Sequence, residues 1–126
     1  MGWVATCLSA ADQGYASVQR ALGYMYRYGE GVPQDYAEAV KWWRLATEQG
    51  NAGAQNNLGD MYRDGEGVND NNVIAHMLYN LAGAQGNENW SENRDIVAKR
   101  MTPSDISKAQ EMARVCVEKN YKGCGF

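Results

Sequence analysis

The chain is poor in the residue types on which most catalytic and metal sites depend. It has one histidine and three cysteines among 126 residues. His76 lies 40 residues from the nearest cysteine, whereas a metal site needs several converging nitrogen or sulfur ligands. Neither a Gly-x-Ser-x-Gly motif nor a P-loop occurs. We therefore expect no catalytic residues, no metal, no cofactor and no enzymatic activity.

Long apolar runs and an excess of positive charge are also missing. No segment approaches the roughly 20 apolar residues that a transmembrane helix needs. The 12 lysines and arginines are scattered and are outnumbered by 15 aspartates and glutamates, for a net charge of −3 at pH 7. Binding to nucleic-acid phosphates requires a basic stripe or run. We therefore expect neither nucleic-acid binding nor a membrane span.

What the chain does contain is a repeat with a period of 36 residues, marked by Gly14, Gly50 and Gly86. The residues shared by the two copies include the pairs Ala16/Ala52, Gln19/Gln55, Leu22/Leu58, Gly23/Gly59, Met25/Met61, Tyr26/Tyr62, Arg27/Arg63, Gly29/Gly65, Glu30/Glu66, Val32/Val68, Ala39/Ala75 and Ala46/Ala82. A fixed period of about 20–50 residues is typical of stacked-repeat proteins, which present long surfaces to partners.

Each period predicts two helices. Apolar residues follow helical spacing over 16–28, and the glycines and proline of segment 29–33 end that helix. Asp35 is placed as an N-cap, with Glu38 completing a capping box, and the second helix runs to about Gln49. The second copy has Asn and Ile at the two capping positions, which predicts a weaker helix start and a softer loop.

The flanks extend the stack. Thr6 and Cys7 lie one period before Trp42 and Trp43 and predict the second helix of an incomplete repeat. Past the second copy we predict a helix over 89–101 and a last helix from its N-cap Thr102 to about residue 120. We divide the chain 1–126, as a single solenoid domain, into a partial repeat (1–13), repeat 1 (14–49), repeat 2 (50–85) and C-terminal capping helices (86–126).

These residues resemble the Sel-1-like repeat (SLR) family, which is related to the tetratricopeptide repeat. The family pattern is matched by Ala16, Leu22, Gly23, Tyr26, Gly29, Gly31, Val32, Asp35, Ala39, Trp42, Trp43, Ala46 and Gly50. The resemblance covers about 14–86 and implies an all-α fold, an α/α superhelical solenoid of helix-turn-helix repeats, with adaptor or scaffold roles. The second copy departs from the pattern, since Leu78-Tyr79 replaces the two tryptophans.

The resemblance also implies that the first helix of each repeat lines a concave surface. On these helices the residues that are identical between copies gather on one side, and those that differ gather on the other. We interpret the differing side as a partner-binding face formed by Arg20, Tyr24, Tyr28, Asn56, Asp60 and Asp64. It would suit a peptide or helix with an apolar anchor and a basic residue. Ordinary variation of an exposed surface remains the alternative.

The cysteines bear on the compartment. A helix end and a turn between Cys116 and Cys124 can bring their Cα atoms within the ~4.4–6.8 Å that a disulfide needs, although two reduced thiols remain possible. A disulfide persists in oxidising compartments, so the pair favours a periplasmic or secreted protein over a cytoplasmic one. Cys7 is expected to be a small buried residue.

The function that we expect is a protein–protein interaction module, from a bacterial envelope or secreted context. The alternatives are a glycan or cell-wall binder and a small secreted hydrolase-like protein of the cysteine-containing SLR branch. We predict that Trp42, Trp43, Tyr26 and Tyr62 pack between repeats instead of binding sugar. Since solenoids normally need about three repeats, we also expect either a fragment of a longer array or a homo-oligomer formed through exposed repeat ends.

Overall fold

The computed structural model describes residues 2–126, with side chains from residue 5 onward. This part of the chain forms the helices α1 (Gly2–Asp12), α2 (Ala16–Tyr28), α3 (Tyr36–Glu48), α4 (Ala52–Asp64), α5 (Asn72–Gly83), α6 (Glu88–Ala98) and α7 (Pro103–Glu118). It contains no strand, so the predicted all-α class is confirmed. The first residue of the predicted partial repeat 1–13 lies outside the described residues.

The helices stack as neighbouring pairs. Within each repeat the first helix packs on the second, α2 on α3 and α4 on α5, and successive repeats meet through α3 with α4 and α5 with α6. The last helix, α7, packs on α5, and α1 packs on α2. Contacts confined to neighbours in the stack are what define a solenoid. We refer to α2, α4 and α6 together as the first-helix layer.

Among the side chains that the structure describes, two groups of buried residues fill the stack. The larger centres on the fully buried Trp43, Leu58 and Tyr79, and the smaller joins Trp42 to α1 and α2. The predicted packing role of the two tryptophans agrees with their burial. Cys7 is only half-buried, contrary to the expectation.

The loops within the two repeats are held in the same way. Gly29 ends α2 in the left-handed conformation, at φ 69°, which an L-residue rarely adopts. Asp35 caps α3 by accepting a hydrogen bond from the backbone N–H of Glu38, and Asn71 caps α5 in the same way. The expected capping box is only half formed, because the N–H of Asp35 already donates to a carbonyl of α2, at 2.8 Å. The N–H of Asn71 makes the equivalent bond, so the two loops share this backbone contact.

The C-terminal tail folds back over the stack. Helix α7 ends two residues before the predicted position, because Asn120 and Tyr121 take left-handed conformations at φ 54° and 65°. The tail then returns to α7, where the sulfur atoms of Cys116 and Cys124 lie 2.11 Å apart and their Cα atoms 5.3 Å apart. The predicted pair therefore stands at disulfide distance.

The tail also reaches the end of repeat 1. A Cβ atom added to Gly50 would lie 3.0 Å from the Tyr121 ring, so the ring covers this turn closely. The ammonium group of Lys122 donates a hydrogen bond to the carbonyl of Glu48. The cap thus bridges from α7 to the junction between the two repeats.

Candidate partner-binding surface

Two tyrosines form an exposed aromatic pair on α2. Tyr24 and Tyr28 are one helical turn apart, so their side chains are neighbours on the helix surface. Their ring centroids lie 4.6 Å apart, and the two residues remain 48% and 51% exposed. The guanidinium of Arg27 lies 5.3 Å from the centre of the Tyr28 ring, close enough for a cation–π interaction.

A groove runs beside this pair. It has a volume of about 380 Å³ and is lined by Ser17, Arg20, Ala21, Tyr24, Met25 and Glu30. All but the last residue lie on α2, and the last follows in its loop. The groove therefore combines an aromatic and aliphatic wall with one arginine and one carboxylate at its rim.

The predicted acidic end of the face is engaged by the chain's own side chains. Asp60 accepts a hydrogen bond from the Tyr79 hydroxyl at 2.5 Å, and its carboxylate lies 3.3 Å from Arg63 and 3.8 Å from Arg27. Burial raises the pKa of Asp60, while the hydrogen bonds from Arg63 hold the pKa of Asp64 below its usual range. Asp64 remains exposed, whereas Asp60 joins three helices.

A contact in the core explains why repeat 2 has an aspartate at position 60. In repeat 1 the buried Trp43 donates its indole N–H to the carbonyl of Arg20, at 2.9 Å. In repeat 2 Tyr79 takes the position of Trp43. Its buried hydroxyl group lies at the tip of the side chain and needs a hydrogen-bond acceptor there. Asp60 supplies that acceptor. The change from Tyr24 in repeat 1 to Asp60 in repeat 2 therefore accompanies the change from Trp43 to Tyr79 in the core.

Arg20 and Asn56 link successive helices of the layer. The Nε of Arg20 donates to Asn57 on α4, at 3.2 Å, and Asn56 accepts from Asn93 on α6, at 2.9 Å. Among the six predicted residues, Tyr24 and Tyr28 present the largest exposed apolar side chains of the layer, with the charged residues around them.

Sequence reasoning missed the part of the face on α6. Ile96, which is half-exposed, stands one period after Asp60, and the exposed Arg100 stands one period after Asp64. Val97 is fully buried one period after Met61, so α6 repeats the orientation of α4. The 36-residue period was the available signal, but the missing glycines made 86–126 look like an unrelated cap.

His76 is buried without a partner for its Nδ1 atom among the described residues. Burial, and next the nearby Arg94, lower its pKa below the ordinary value. Asp95 acts in the opposite direction. The described residues include no group of three or more His, Cys, Asp and Glu residues that could hold a metal ion. His76 therefore packs within the stack, where burial disfavours its charged form.

We expect His76 to make the fold less stable in mild acid. Because its pKa in the folded state lies below the unfolded value near 6.5, the unfolded chain binds the proton more readily. The free energy of unfolding should therefore fall as the pH falls below about 6.5. Chemical denaturation of the wild type and of His76→Val at pH 7.5 and pH 5 measures this, since the equivalent Val40 is buried in repeat 1. The variant should lose less stability than the wild type; equal losses would contradict the prediction.

Comparison with known proteins agrees with this geometry. The sequence profile of the Sel1 repeat matches residues 16–51 and 52–87. Among solved structures, a protective antigen of uropathogenic Escherichia coli with an SLR fold is 32% identical, with a TM-score of 0.88 over 94% of this chain and 26% of that one. A Sel1 repeat protein from Oxalobacter formigenes is 35% identical, with a TM-score of 0.71 over 73% of this chain and 69% of that one.

The chain thus spans about a quarter of the length of the Escherichia coli antigen. A search of curated proteins finds no significant match. Along the described residues, no helix combines the length and the apolar character needed to span a membrane. The two adjacent repeat matches cover more than half of the sequence, on a stack of paired helices shared with solved SLR proteins, and the chain belongs to the Sel1 repeat family.

Proposed function

We propose that the chain is a non-enzymatic adaptor or scaffold module that binds a protein or peptide partner on its first-helix layer. Sel1 repeat proteins generally mediate protein–protein interactions. The observation that supports this particular surface is the exposed pair of Tyr24 and Tyr28 beside an open groove. The predicted face of Arg20, Tyr24, Tyr28, Asn56, Asp60 and Asp64 is retained, with the tyrosines as its centre.

Tyrosine suits this role for physical reasons. A tyrosine contributes a large contact area and loses the freedom of only two torsion angles when it is immobilised. Tyrosine and arginine are enriched among the residues that dominate binding energy. An apolar side chain of the partner would lie in the groove against Tyr24 and Ala21, and Arg20 and Asp64 would supply polar contacts around it.

The charged residues contribute specificity more than affinity. A basic residue of the partner would have to share Asp64 with Arg63, which already donates two hydrogen bonds of 2.8 Å to it. Exposed ion pairs of this kind add little free energy, commonly less than ~1 kcal/mol. The aromatic pair and the groove therefore carry the main binding energy.

Replacing both Tyr24 and Tyr28 by alanine should abolish capture of the partner while helicity stays unchanged. Both side chains lie outside the two buried clusters, so their loss removes contact area and leaves the core intact. The measurement is affinity capture from native extract with chemical crosslinking and mass spectrometry, beside circular dichroism. Leu45→Ala is the matched control, because Leu45 is an exposed apolar residue on α3. Equal capture by the wild type and the double variant would refute the proposal.

The glycan-binding alternative depended on exposed tryptophans. Trp42 and Trp43 are buried and Trp90 is half-buried, while the side chain of Trp3 lies outside the described residues. No observation on the described residues favours the hydrolase alternative. We propose neither.

The cysteine pair bears on the location of the protein. A bond between Cys116 and Cys124 persists where thiols are oxidised. We therefore propose that the module acts in the periplasm or outside the cell.

A further inference from the structure

The tail after α7 is held in a strained conformation. Asn120 and Tyr121 take the left-handed conformation, at φ 54° and 65°, which is unfavourable for tyrosine because its Cβ atom crowds the following carbonyl oxygen. The N–H of Tyr121 donates to the carbonyl of Cys116, at 2.9 Å, and the chain turns back toward Cys124. Such strain persists only while the surrounding contacts hold it. The link between Cys116 and Cys124 closes the loop around the strained residues, so breaking this link would release them.

The two cysteines differ in exposure. Cys116 is 1% exposed and belongs to the larger buried cluster, whereas Cys124 is half-buried at the edge of that cluster. A pocket of about 220 Å³ lies beside them, and its lining includes both cysteines, Glu111, Met112 and Lys119. We call it the cysteine pocket. A thiol that enters this pocket reaches the sulfur of Cys124 more readily than the sulfur of Cys116.

The charged residues at the cysteine pocket favour an anion. The carboxylate of Glu111 is already paired with Arg114, whose Nε atom donates a hydrogen bond to it at 2.9 Å. Lys119 is exposed and forms no ion pair with any described residue. The pocket therefore presents one free ammonium group. This charge attracts a thiolate, which is the form of a thiol that attacks disulfides.

We propose that Cys116 and Cys124 form a site of thiol–disulfide exchange with a dithiol, which enters at Cys124. A thiolate of the dithiol bonds to the sulfur of Cys124, the bond between the two cysteines breaks, and its electron pair passes to the sulfur of Cys116. That sulfur takes up a proton, because buried surroundings disfavour a thiolate. The second thiol of the dithiol then attacks the mixed disulfide and gives its proton to Cys124. The protein is thereby reduced to two thiols, and the dithiol is oxidised to a disulfide.

Exchange at this site controls how the tail is attached. Opening the bond frees the strained loop, and with it the contacts of Tyr121 and Lys122 at the end of repeat 1. The reverse reaction, with an oxidised dithiol, closes the loop again. Exposed or strained disulfides are the ones that exchange readily, whereas permanent structural disulfides resist reduction. The cysteine pocket is formed by α7 and the tail, so exchange there does not depend on the proposed partner binding by the first-helix layer.

The test uses the full chain with the pair oxidised, and reduced glutathione as a single thiol that leaves a mixed disulfide. Exchange without denaturant is stopped with N-ethylmaleimide, and peptide mass mapping locates both adducts. We expect glutathione on Cys124 and maleimide on Cys116, with the opposite arrangement about tenfold rarer because Cys116 is less accessible. Lys119→Gln should slow the exchange about threefold at low ionic strength, since the attraction for the thiolate is lost. Lys108→Gln, at another exposed lysine of α7, is the matched control and should leave the rate unchanged.

The dependence on urea separates exchange in the folded protein from exchange through unfolding. Dithiothreitol should reduce the pair at a rate that low, non-denaturing concentrations of urea do not change. A rate that rises in parallel with the unfolded fraction would identify the pair as a structural link that opens only on unfolding, and would overturn the proposal. Glutathione found mainly on Cys116, or equally on both cysteines, would also overturn it, as would equal exchange rates for Lys119→Gln and Lys108→Gln.

Discussion

Replacing Gly23 by alanine is expected to lower the free energy of unfolding by roughly 1–5 kcal/mol. A Cβ atom at this position would lie 2.4 Å from Nε1 of Trp43, a side chain with no exposed surface. The indole cannot retreat without losing its hydrogen bond to the Arg20 carbonyl. Overpacking costs about 1–3 kcal/mol and an orphaned buried donor about 1–3 kcal/mol. The higher helix propensity of alanine returns only about 1 kcal/mol.

The chain contains its own control for this experiment. Gly53 is also a buried glycine within a helix, but a Cβ there would meet the flexible end of Arg20. Because that side chain can swing aside, the gain in helix propensity offsets the loss of the bond between Arg20 and Asn57. Gly53→Ala should stay within about 1 kcal/mol of the wild type in urea denaturation. Equal stability of Gly23→Ala and Gly53→Ala would contradict the close packing of Trp43 against α2.

Reduction of the cysteine pair is expected to lower the free energy of unfolding by about 2.5 kcal/mol, from the loop entropy released to the unfolded chain. For a domain of this size the melting temperature should fall by on the order of 10 °C. The contacts of Tyr121 with Gly50 and of Lys122 with Glu48 should loosen too, because the tail loses its link to α7. Thermal unfolding with and without a phosphine reductant measures the first effect, and hydrogen exchange at the turn around Gly50 measures the second.

Single cysteine variants separate the disulfide from other effects of the reductant. Cys124→Ser should reproduce the loss of stability and become insensitive to reductant, whereas Cys7→Ser, at a free cysteine, should keep the full shift. A wild-type melting temperature that does not change with reductant would show that the pair contributes no stability. An equal shift in Cys124→Ser would show that the reductant acts elsewhere.

The fold could be predicted because both repeats contain the same packing contacts, and the residues that make them recur in the sequence. Gly23 meets Trp43 in repeat 1, and Gly59 meets Tyr79 in repeat 2, where a Cβ would lie 2.8 Å from the ring. Each glycine makes room for one buried aromatic ring. The occurrence of glycine at both equivalent positions, Gly23 and Gly59, therefore indicates this contact. The starts and ends of the helices could also be predicted, because aspartate and asparagine favour the N-cap position and glycine favours the left-handed conformation at a helix end.

The contacts made by residues of the candidate binding face could be predicted only in part. Periodicity identifies the residues that differ between repeats, but a difference can serve a partner or an internal contact. Asp60 differs from Tyr24 because the Tyr79 hydroxyl needs an acceptor, a demand that arises across two helices. Asn56 likewise bonds α6, a helix whose place in the stack the sequence did not reveal. Side-chain partners of this kind depend on three-dimensional packing, which the repeat alignment does not contain.

Site-specific photocrosslinking tests most directly whether the first-helix layer binds a partner. A benzophenone amino acid is placed at position 28 of the full chain or, as a control, at position 45 on α3, both of which are exposed. After irradiation in native extract, we expect a discrete crosslinked protein from position 28 that disappears with Tyr24→Ala, and none from position 45. A discrete partner captured from position 45 but not from position 28 would contradict the claim that the first-helix layer is the binding surface.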